Sequence, residues 1–248
     1  MKLNFDLTVA TYNIHKSKGT DRRRDPARTA AVIGEIGADI LALQEADMRF
    51  GRRSGLLDLE ALRRDQGLVQ VPVDEPIAEA HGHHGNLILV RNAIVEVVHH
   101  LHLPGLEPRG AIVTDLVIKG QKIRVIGTHF GLLPGSRLRQ SHALMAKLKT
   151  LEPRLTLLMG DLNEWRTGKW SSLRPLTSLF DTQLGARSFP ARYPLVPFDR
   201  IMVTQHGFLT DVEAHQTALS RLASDHLPIK GRLQIIGSET AKRPGLVL

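Results

Sequence analysis

Two kinds of apolar pattern alternate along the chain. Short runs rich in Val, Ile, Leu and Thr are bounded by Gly, Pro, Asn or Asp, a pattern typical of buried β-strands. Gly120 and Gln121 separate two such runs and predict a hairpin. We predict strands at residues 8–15, 39–45, 87–91, 94–101, 111–118, 122–130, 155–159, 201–204 and 228–236.

Helices are predicted between these strands. Asp25 and Pro26 form an N-cap followed by proline at the first helical position, and Gly37 provides a stop. A longer segment carries leucines at helical spacing and ends just before Pro153. We predict helices at residues 26–36, 56–64, 136–151 and 170–179.

Length and composition indicate a single globular domain. The chain has 248 residues, 42% of them hydrophobic, and contains no linker, repeat or low-complexity tract. We expect one domain over residues 1–236 and a loose tail over 237–248. No apolar run is long enough to span a bilayer, and the N-terminus lacks the features of a secretory signal.

The sequence contains no cysteine. Disulfides and thiolate metal sites are therefore excluded, so any metal must be held by oxygen and nitrogen ligands. We predict a cytoplasmic location.

The charge balance favours an anionic partner. Lys and Arg number 33 against 25 Asp and Glu, a net charge of +8 with an isoelectric point near 10.1. Such an excess suits nucleic acid, anionic lipid or a phosphorylated metabolite, although each basic cluster could also be a solvated face. Aromatic residues make up only 4%, which disfavours recognition by base stacking. The arginines gather at positions 22, 23, 24 and 28, and again at 49, 52, 53, 63 and 64.

Polar residues capable of chemistry lie where the predicted strands end. Asp161 and Asn163 are two apart on an emerging strand and project to the same side. Glu45 follows a fully apolar strand, where a carboxylate must find a cation or water. Asp225 and His226 place a metal ligand beside a proton-handling imidazole. This combination indicates the cleavage of a phosphate ester. The other residues of this kind are Asn13, Arg109, His129 and Asp199.

The order of these segments resembles that of the endonuclease/exonuclease/phosphatase superfamily. The chain carries, in sequence, TYNIH, LQE, EPRG, GTHF, GDLNE, FDRI and SDHLP, and the resemblance runs from about residue 7 to residue 236. It implies an α/β four-layer sandwich, in which two mixed β-sheets pack face to face with helices on the outer faces. It also implies a Mg²⁺- or Mn²⁺-dependent phosphoesterase.

The resemblance further implies a role for each site residue. Glu45 is the central ligand of the divalent ion, with Asn13 and Asp225 nearby, directly or through water. Asp161 orients or deprotonates the attacking water, and Asn163 donates its amide to a phosphoryl oxygen.

The same resemblance assigns the remaining residues to the phosphate. His226 faces the phosphate with Asp199 bonded to its far nitrogen, as a cationic stabiliser or as a base. His129 and Arg109 serve the leaving group and a phosphate oxygen.

Structural roles compete with some of these assignments. Asn13 could cap a turn, and His129 could be a satisfied core histidine. His81, His83 and His84 cluster in a Gly-rich loop, but their spacing is not a regular ligand set, so we predict no metal there.

The substrate is the least determined feature. Apurinic endonucleases carry Tyr-x-Pro-Asn where this chain has residues 128–131, which disfavours a role in abasic-site repair. The 5-phosphatases carry a Trp-Cys before their Asp-Arg-Ile, and this chain lacks it. The leading hypothesis is a DNA endonuclease or exonuclease. The alternatives are a phospholipid or small-molecule phosphodiesterase or phosphatase and, remotely, an inactive module that binds nucleic acid or a membrane surface. No protein partner can be inferred.

Overall fold

Twelve strands and four α-helices make up the regular structure in the residues that the computed structural model describes, namely 5–48, 54–73, 80–181, 185–205 and 207–235. None of these helices is long and apolar enough to cross a membrane. The strands are β1 (Phe5–Asn13), β2 (Ile40–Gln44), β3 (Val69–Gln70), β4 (Leu87–Val90), β5 (Ala93–Leu103), β6 (Arg109–Ile118), β7 (Gln121–His129), β8 (Leu155–Asp161), β9 (Phe180–Asp181), β10 (Asp199–Thr204), β11 (Gly207–Ala214) and β12 (Ile229–Ile235). The helices are α1 (Pro26–Ile36), α2 (Leu59–Gln66), α3 (Pro134–Lys149) and α4 (Ala218–Ala223).

The described strands form two mixed sheets of six strands each. The first has the spatial order β11-β12-β1-β2-β4-β3, and the second has the order β5-β6-β7-β8-β10-β9. Each sheet contains one parallel pair, β1 with β2 and β7 with β8, while the other pairs are antiparallel.

The two sheets pack face to face through a common apolar core. Val9, Ala42 and Ile88 of the first sheet share this core with Ile112 and Met159 of the second, and all five are buried. Alternate residues of each strand face this core, as the two-residue period of a strand requires.

Helices cover the outer faces. Val32 and Ile33 of α1 and Leu62 of α2 pack on the first sheet, whereas Leu144 and Leu148 of α3 pack on the second. The predicted four-layer α/β sandwich is therefore confirmed.

Local sequence signals account for the best-predicted helix. The side chain of Asp25 accepts a hydrogen bond from the backbone N–H of Arg28, and Pro26 occupies the first helical position. Gly37 adopts φ 63° and ends α1, a backbone conformation that glycine reaches at little cost. The predicted helix over 26–36 is confirmed to the residue.

Some elements were predicted wrongly, and others were not predicted at all. Residues 170–179 do not form an α-helix but two short 3₁₀ helices, Gly168–Trp170 and Arg174–Ser178, because Pro175 lacks a backbone N–H and restricts the residue before it. The helix predicted at 56–64 begins later, because Asp58 caps it through the N–H of Ala61. Strands β3, β9 and β11 and helix α4 were not predicted. The predicted tail at 237–248 and the arginines at 49, 52 and 53 lie outside the described residues.

The close approach of the sheets at Gly127 gives a stability prediction. A Cβ at this position would lie 2.9 Å from Cγ1 of Ile88 in the opposite sheet. Gly127→Ala should therefore lower the free energy of unfolding by about 1–3 kcal/mol, the usual cost of overpacking. Urea unfolding measures this change. The matched variant Gly135→Ala, whose Cβ would meet only Nη1 of Arg139 at 3.8 Å, should be close to neutral, and equal losses in the two variants would contradict the prediction.

Candidate active site

The first sheet brings two predicted site residues to one rim. Asn13 ends β1 and pairs in parallel register with Gln44, which ends β2. Glu45 is the next residue, so its carboxylate leaves the sheet beside Asn13. Neighbouring parallel strands end at the same edge, and the polar residues that follow them are adjacent as a result.

The second sheet places three more predicted residues side by side. His129 ends β7 and is in register with Asp161, which ends the parallel strand β8. Asp199 begins the antiparallel strand β10 and is also in register with Asp161. Asp161 therefore lies between an imidazole and a second carboxylate.

Asp161 is the centre of a buried polar network. The residue is 1% exposed, and its Oδ2 accepts a 3.0 Å hydrogen bond from Nδ2 of Asn13, which links the two sheets. Oδ2 also lies 3.3 Å from Nε2 of His129 and 3.8 Å from Nε2 of His226. Burial raises the pKa of Asp161, an effect opposed mainly by the positive charge of His226.

His226 is held by Asp199. Nδ1 of His226 lies 2.8 Å from Oδ2 of Asp199, which also accepts a 2.5 Å hydrogen bond from the hydroxyl of Ser188. Burial alone would lower the pKa of His226, but the charges of Asp199 and Asp161 outweigh it and raise the pKa to about 10. His226 is thus an imidazolium at neutral pH, with Nδ1 donating to Asp199 and Nε2 directed towards Asp161.

The side-chain amide of Asn163 makes one of its hydrogen bonds to the protein itself. Its backbone N–H donates to Oδ1 of Asp161 at 2.9 Å, and its Nδ2 donates to the carbonyl of Phe130 at 2.9 Å. One hydrogen on Nδ2 is left over from that bond, because an amide nitrogen carries two. The role predicted for this amide at a phosphoryl oxygen stays a prediction.

A pocket of about 150 Å³ adjoins this network. His129 belongs to both, since it contacts Asp161 and lines the pocket. The guanidinium of Arg109 is oriented by two hydrogen bonds to Oε2 of Glu107, at 3.0 and 2.6 Å. The pocket is lined by Lys16, Glu45, Asp47, His84, Gly85, Pro108, Arg109 and His129.

Glu45 presents an ionised carboxylate to this pocket. Burial raises its pKa, but the hydrogen bond and charge of Lys16, whose ammonium contacts Oε2, bring the pKa below its usual range. The backbone of Glu45 has φ 55°, a left-handed conformation that costs a non-glycine residue roughly 1–2 kcal/mol. Such strain is typical of functional positions.

The oxygen donors at this rim suit a hard divalent cation. Glu45 offers a carboxylate, and Oδ1 of Asn13 accepts one hydrogen bond from the N–H of His15 while keeping a second lone pair. Carboxylate and amide oxygens are the ligands that Mg²⁺ and Mn²⁺ prefer. Asp225 lies at the same rim, where its Oδ1 is 3.3 Å from Nδ1 of His15 and its side chain is partly exposed.

Six of the nine predicted site residues thus form one network, namely Asn13, His129, Asp161, Asn163, Asp199 and His226. Glu45 and Arg109 face the adjoining pocket, and Asp225 contacts His15 at the rim.

Sequence reasoning missed several residues that support the site. Lys16 pairs with Glu45, and its only sequence signal is its position three residues after Asn13. Ser188 bonds Asp199 from a loop that gave no signal. Ser224 donates to the carbonyl of Asn13 at 2.7 Å and so fixes the loop that carries His226 to the end of β1.

The chain is similar to known proteins over most of its length. The family model described as "Endonuclease/Exonuclease/phosphatase family" matches residues 10–226. An uncharacterized protein of Escherichia coli, YbhP, is 28% identical over 256 residues, which cover 93% of this chain and 97% of that protein.

Solved structures show the same fold. An endonuclease/exonuclease/phosphatase from Beutenbergia cavernae has a TM-score of 0.73 at 22% identity, covering 94% of this chain and 72% of its own. The mannosyl-6-phosphatase Bt3783 of Bacteroides thetaiotaomicron has a TM-score of 0.66 at 17% identity, covering 92% and 99%. TDP2 of D. rerio, complexed with a single-strand DNA product, has a TM-score of 0.69 at 15% identity, covering 92% and 98%.

The Asp199–His226 contact predicts the titration of His226. NMR of its ring should show an imidazolium that persists through neutral pH and loses its proton near pH 10. In Asp199→Asn the pKa should fall steeply, because the largest charge that raises it is gone while the burial that lowers it remains. Asp65→Asn, on the exposed surface of α2, is the control and should leave the titration unchanged. A wild-type midpoint at the ordinary histidine value would refute the pairing.

Proposed function

Because the chain belongs to the endonuclease/exonuclease/phosphatase family, we propose that it is a phosphodiester hydrolase that depends on Mg²⁺ or Mn²⁺, acts on DNA and works in the cytoplasm. One observation carries the hydrolytic part of this proposal. The buried carboxylate of Asp161 is surrounded by an amide and two imidazoles at the rim where both sheets end. Hydrolysis of a phosphodiester needs an aligned water, positive charge on the phosphoryl oxygens and a stabilised leaving oxygen.

Asp161 is the residue that orients or deprotonates the attacking water. Its raised pKa makes it a stronger base than an exposed aspartate, while the hydrogen bonds from Asn13 and Asn163 fix the direction of its oxygens. The carboxylate has no freedom to rotate away, so a water bound to it is held in one place.

His226 acts as a cation in this proposal. Its pKa is too high for the imidazole to accept a proton at neutral pH, so it stabilises the negative charge of the phosphate rather than serving as the base. Asp199 keeps it charged and oriented. Arg109 and His129 line the pocket, from which they would contact a phosphate oxygen and the leaving oxygen. Asn163 would donate its second amide hydrogen to a phosphoryl oxygen.

Glu45, Asn13 and Asp225 are the residues that would hold the divalent cation. A bound Mg²⁺ or Mn²⁺ polarises the phosphoryl group and stabilises the leaving oxygen. The contact of Lys16 with Glu45 supports this assignment, since it shows that a positive charge fits against the carboxylate.

The surface beside the pocket supports DNA as the substrate. Nε of Arg24 donates to the carbonyl of Lys16 at 3.1 Å, which ties a basic loop to the residue that pairs with Glu45. Arg22 and Arg23 are exposed on the same loop. A basic surface continuous with a catalytic pocket suits an extended polyanion, and the DNA-bound neighbour has the same fold.

A small phosphate ester is the second candidate. The pocket, at about 150 Å³, is large enough for a phosphate group, and one neighbour of the same fold is a mannosyl-6-phosphatase. An inactive binding module is disfavoured, because the acid, amide and imidazole groups of the site are all in contact.

Metal dependence is tested at Glu45. Glu45→Gln removes a charged ligand, so the turnover of bis-p-nitrophenyl phosphate should fall by roughly 10²–10³-fold, on the scale of lost electrostatic stabilisation. High Mg²⁺ or Mn²⁺ should restore part of it. Glu60→Gln, which replaces an exposed carboxylate on α2, is the control. Activity that survives both EDTA and Glu45→Gln would disprove the metal assignment.

The salt dependence of DNA binding tests the substrate. Binding by the inactive variant Asp161→Asn should weaken steeply as salt rises, with log K falling by about 0.9 per log unit of salt for each contacted phosphate. Reversing the charges of Arg22 and Arg23 to Glu should flatten this slope, while the same reversal in an otherwise wild-type chain should leave turnover of the chromogenic diester unchanged.

Lys147 and Lys149 provide the matched control for that experiment. They lie in the last turn of α3, roughly 20 Å along the helix from its first turn. Reversing both of them to Glu changes the net charge as much as reversing Arg22 and Arg23. This variant should keep the steep slope. A flat salt response together with intact plasmid after long incubation with Mn²⁺ would exclude DNA, and hydrolysis confined to small esters or to anionic vesicles would identify those substrates.

A further inference from the structure

Four imidazoles lie together beside the candidate active site. His83 and His84 come from the loop before β4, and His100 and His102 come from β5. The ring of His83 lies with its centroid 4.5 Å from that of His84, 5.2 Å from that of His100 and 5.0 Å from that of His102. None of the four has a part in the hydrolytic mechanism proposed above.

The backbone of β6 makes room for this cluster at Gly110. His102 is in register with Gly110 across the β5–β6 pair. A Cβ on Gly110 would lie 2.6 Å from the ring of His83 and 2.7 Å from the ring of His84. The amide of Asn86 donates to the carbonyls of both His83 and Gly110, at 2.9 and 3.1 Å, and so holds the loop against the strand. The rings are therefore gathered by the fold rather than by chance exposure.

Three of these imidazoles have the spacing of a metal site. One ring nitrogen from each of His83, His84 and His102 lies within 4.8 Å of the other two. Nε2 of His84 is 2.9 Å from Nδ1 of His102. Two nitrogens each bound at about 2.05 Å to a common tetrahedral ion are about 3.3 Å apart, so a shift of a few tenths of an ångström would bring this pair to ligand spacing. At the observed separation at least one of the two nitrogens carries a lone pair instead of a proton, which is the state that binds a metal.

We propose that His83, His84 and His102 bind a transition-metal cation of the Zn²⁺ class at the edge of the pocket. Imidazole nitrogen suits Zn²⁺, Co²⁺, Ni²⁺ and Cu²⁺, whereas Mg²⁺ prefers oxygen. The site is therefore chemically distinct from the oxygen ligands around Glu45. The backbone carbonyl of Leu101, 3.1 Å from Nε2 of His83, orients that ring in the way that outer contacts orient metal-binding histidines.

The position of the ion follows from His84. This side chain lines the pocket together with Glu45, Arg109 and His129. Three protein ligands leave a coordination position open, as in sites that bind water or an exogenous ligand. The ion would thus add to the positive charge that Lys16 and Arg109 already place on the wall of the same pocket.

The test measures metal binding directly. EDTA-treated protein is dialysed into buffer with saturating Mg²⁺, which occupies oxygen sites, and is titrated with Zn²⁺ by calorimetry and with Co²⁺ by visible absorbance. We expect one Zn²⁺ per chain in the wild type and a Co²⁺ spectrum characteristic of nitrogen ligands. His84→Ala and His102→Ala should each weaken binding by at least roughly tenfold, the lower end of the effect of disturbing a metal site.

Controls separate the site from general histidine binding and from the active site. His142→Ala removes an exposed histidine on α3 and should leave Zn²⁺ binding unchanged. His102→Gln, which keeps the volume of the side chain, should lose binding while retaining the wild-type unfolding midpoint. Glu45→Gln should keep the Zn²⁺ site, so the failure of either proposal leaves the other standing. Equal Zn²⁺ affinity in the wild type and the His84 and His102 variants, or no binding by the wild type at micromolar Zn²⁺, would overturn the proposal.

Discussion

The structure of the site depends on one buried carboxylate. Transfer of an ionised carboxylate out of water costs several kcal/mol unless hydrogen bonds and opposite charge replace its hydration. Asp161 is 1% exposed, and its oxygens receive the Asn13 amide and the Asn163 backbone N–H, with the imidazoles of His129 and His226 close by. Asn13, Asn163 and His226 are themselves fixed by further hydrogen bonds. The groups around Asp161 are thus arranged so that their hydrogen bonds and charges offset the cost of burying its carboxylate.

The mixed pairing of the strands brings the residues of this network together. A purely antiparallel sheet would send neighbouring strand ends to opposite edges. The parallel pair of β1 with β2 places Asn13 next to Glu45, and the parallel pair of β7 with β8 places His129 next to Asp161. Face-to-face packing then superposes the two rims, and the Asn13–Asp161 hydrogen bond joins them.

Sequence reasoning was accurate where the signal is local. The caps of α1 at Asp25 and Gly37 and the polar residues after apolar strands could be read from a few neighbouring positions. It failed at residues 170–179, where Pro175 prevented the predicted α-helix. A local pattern such as the caps of α1 therefore predicts its element well, whereas one residue such as Pro175 can prevent an element that the surrounding sequence favours.

Contacts between distant segments could not be predicted in this way. Ser188 was missed because its contact with Asp199 depends on how two loops meet. The histidine cluster shows the same limit, since His81 contacts the carbonyl of Leu57, whereas the third imidazole beside His83 and His84 is His102 from another strand. Tertiary geometry, not spacing along the chain, selected the members of that group.

The pairing of β1 with β12 has a consequence for biosynthesis. These are the first and last strands that the structure describes, and they meet along seven registered positions, from Phe5 with Ile235 to Thr11 with Ile229. A chain emerging from the ribosome folds from its N-terminal side, so β1 keeps one edge unpaired until β12 has been translated. The loop that precedes β12 carries His226 to the site. The candidate site is therefore complete only once β12 has been made, and a nascent chain released before that point would expose an unpaired edge of β1.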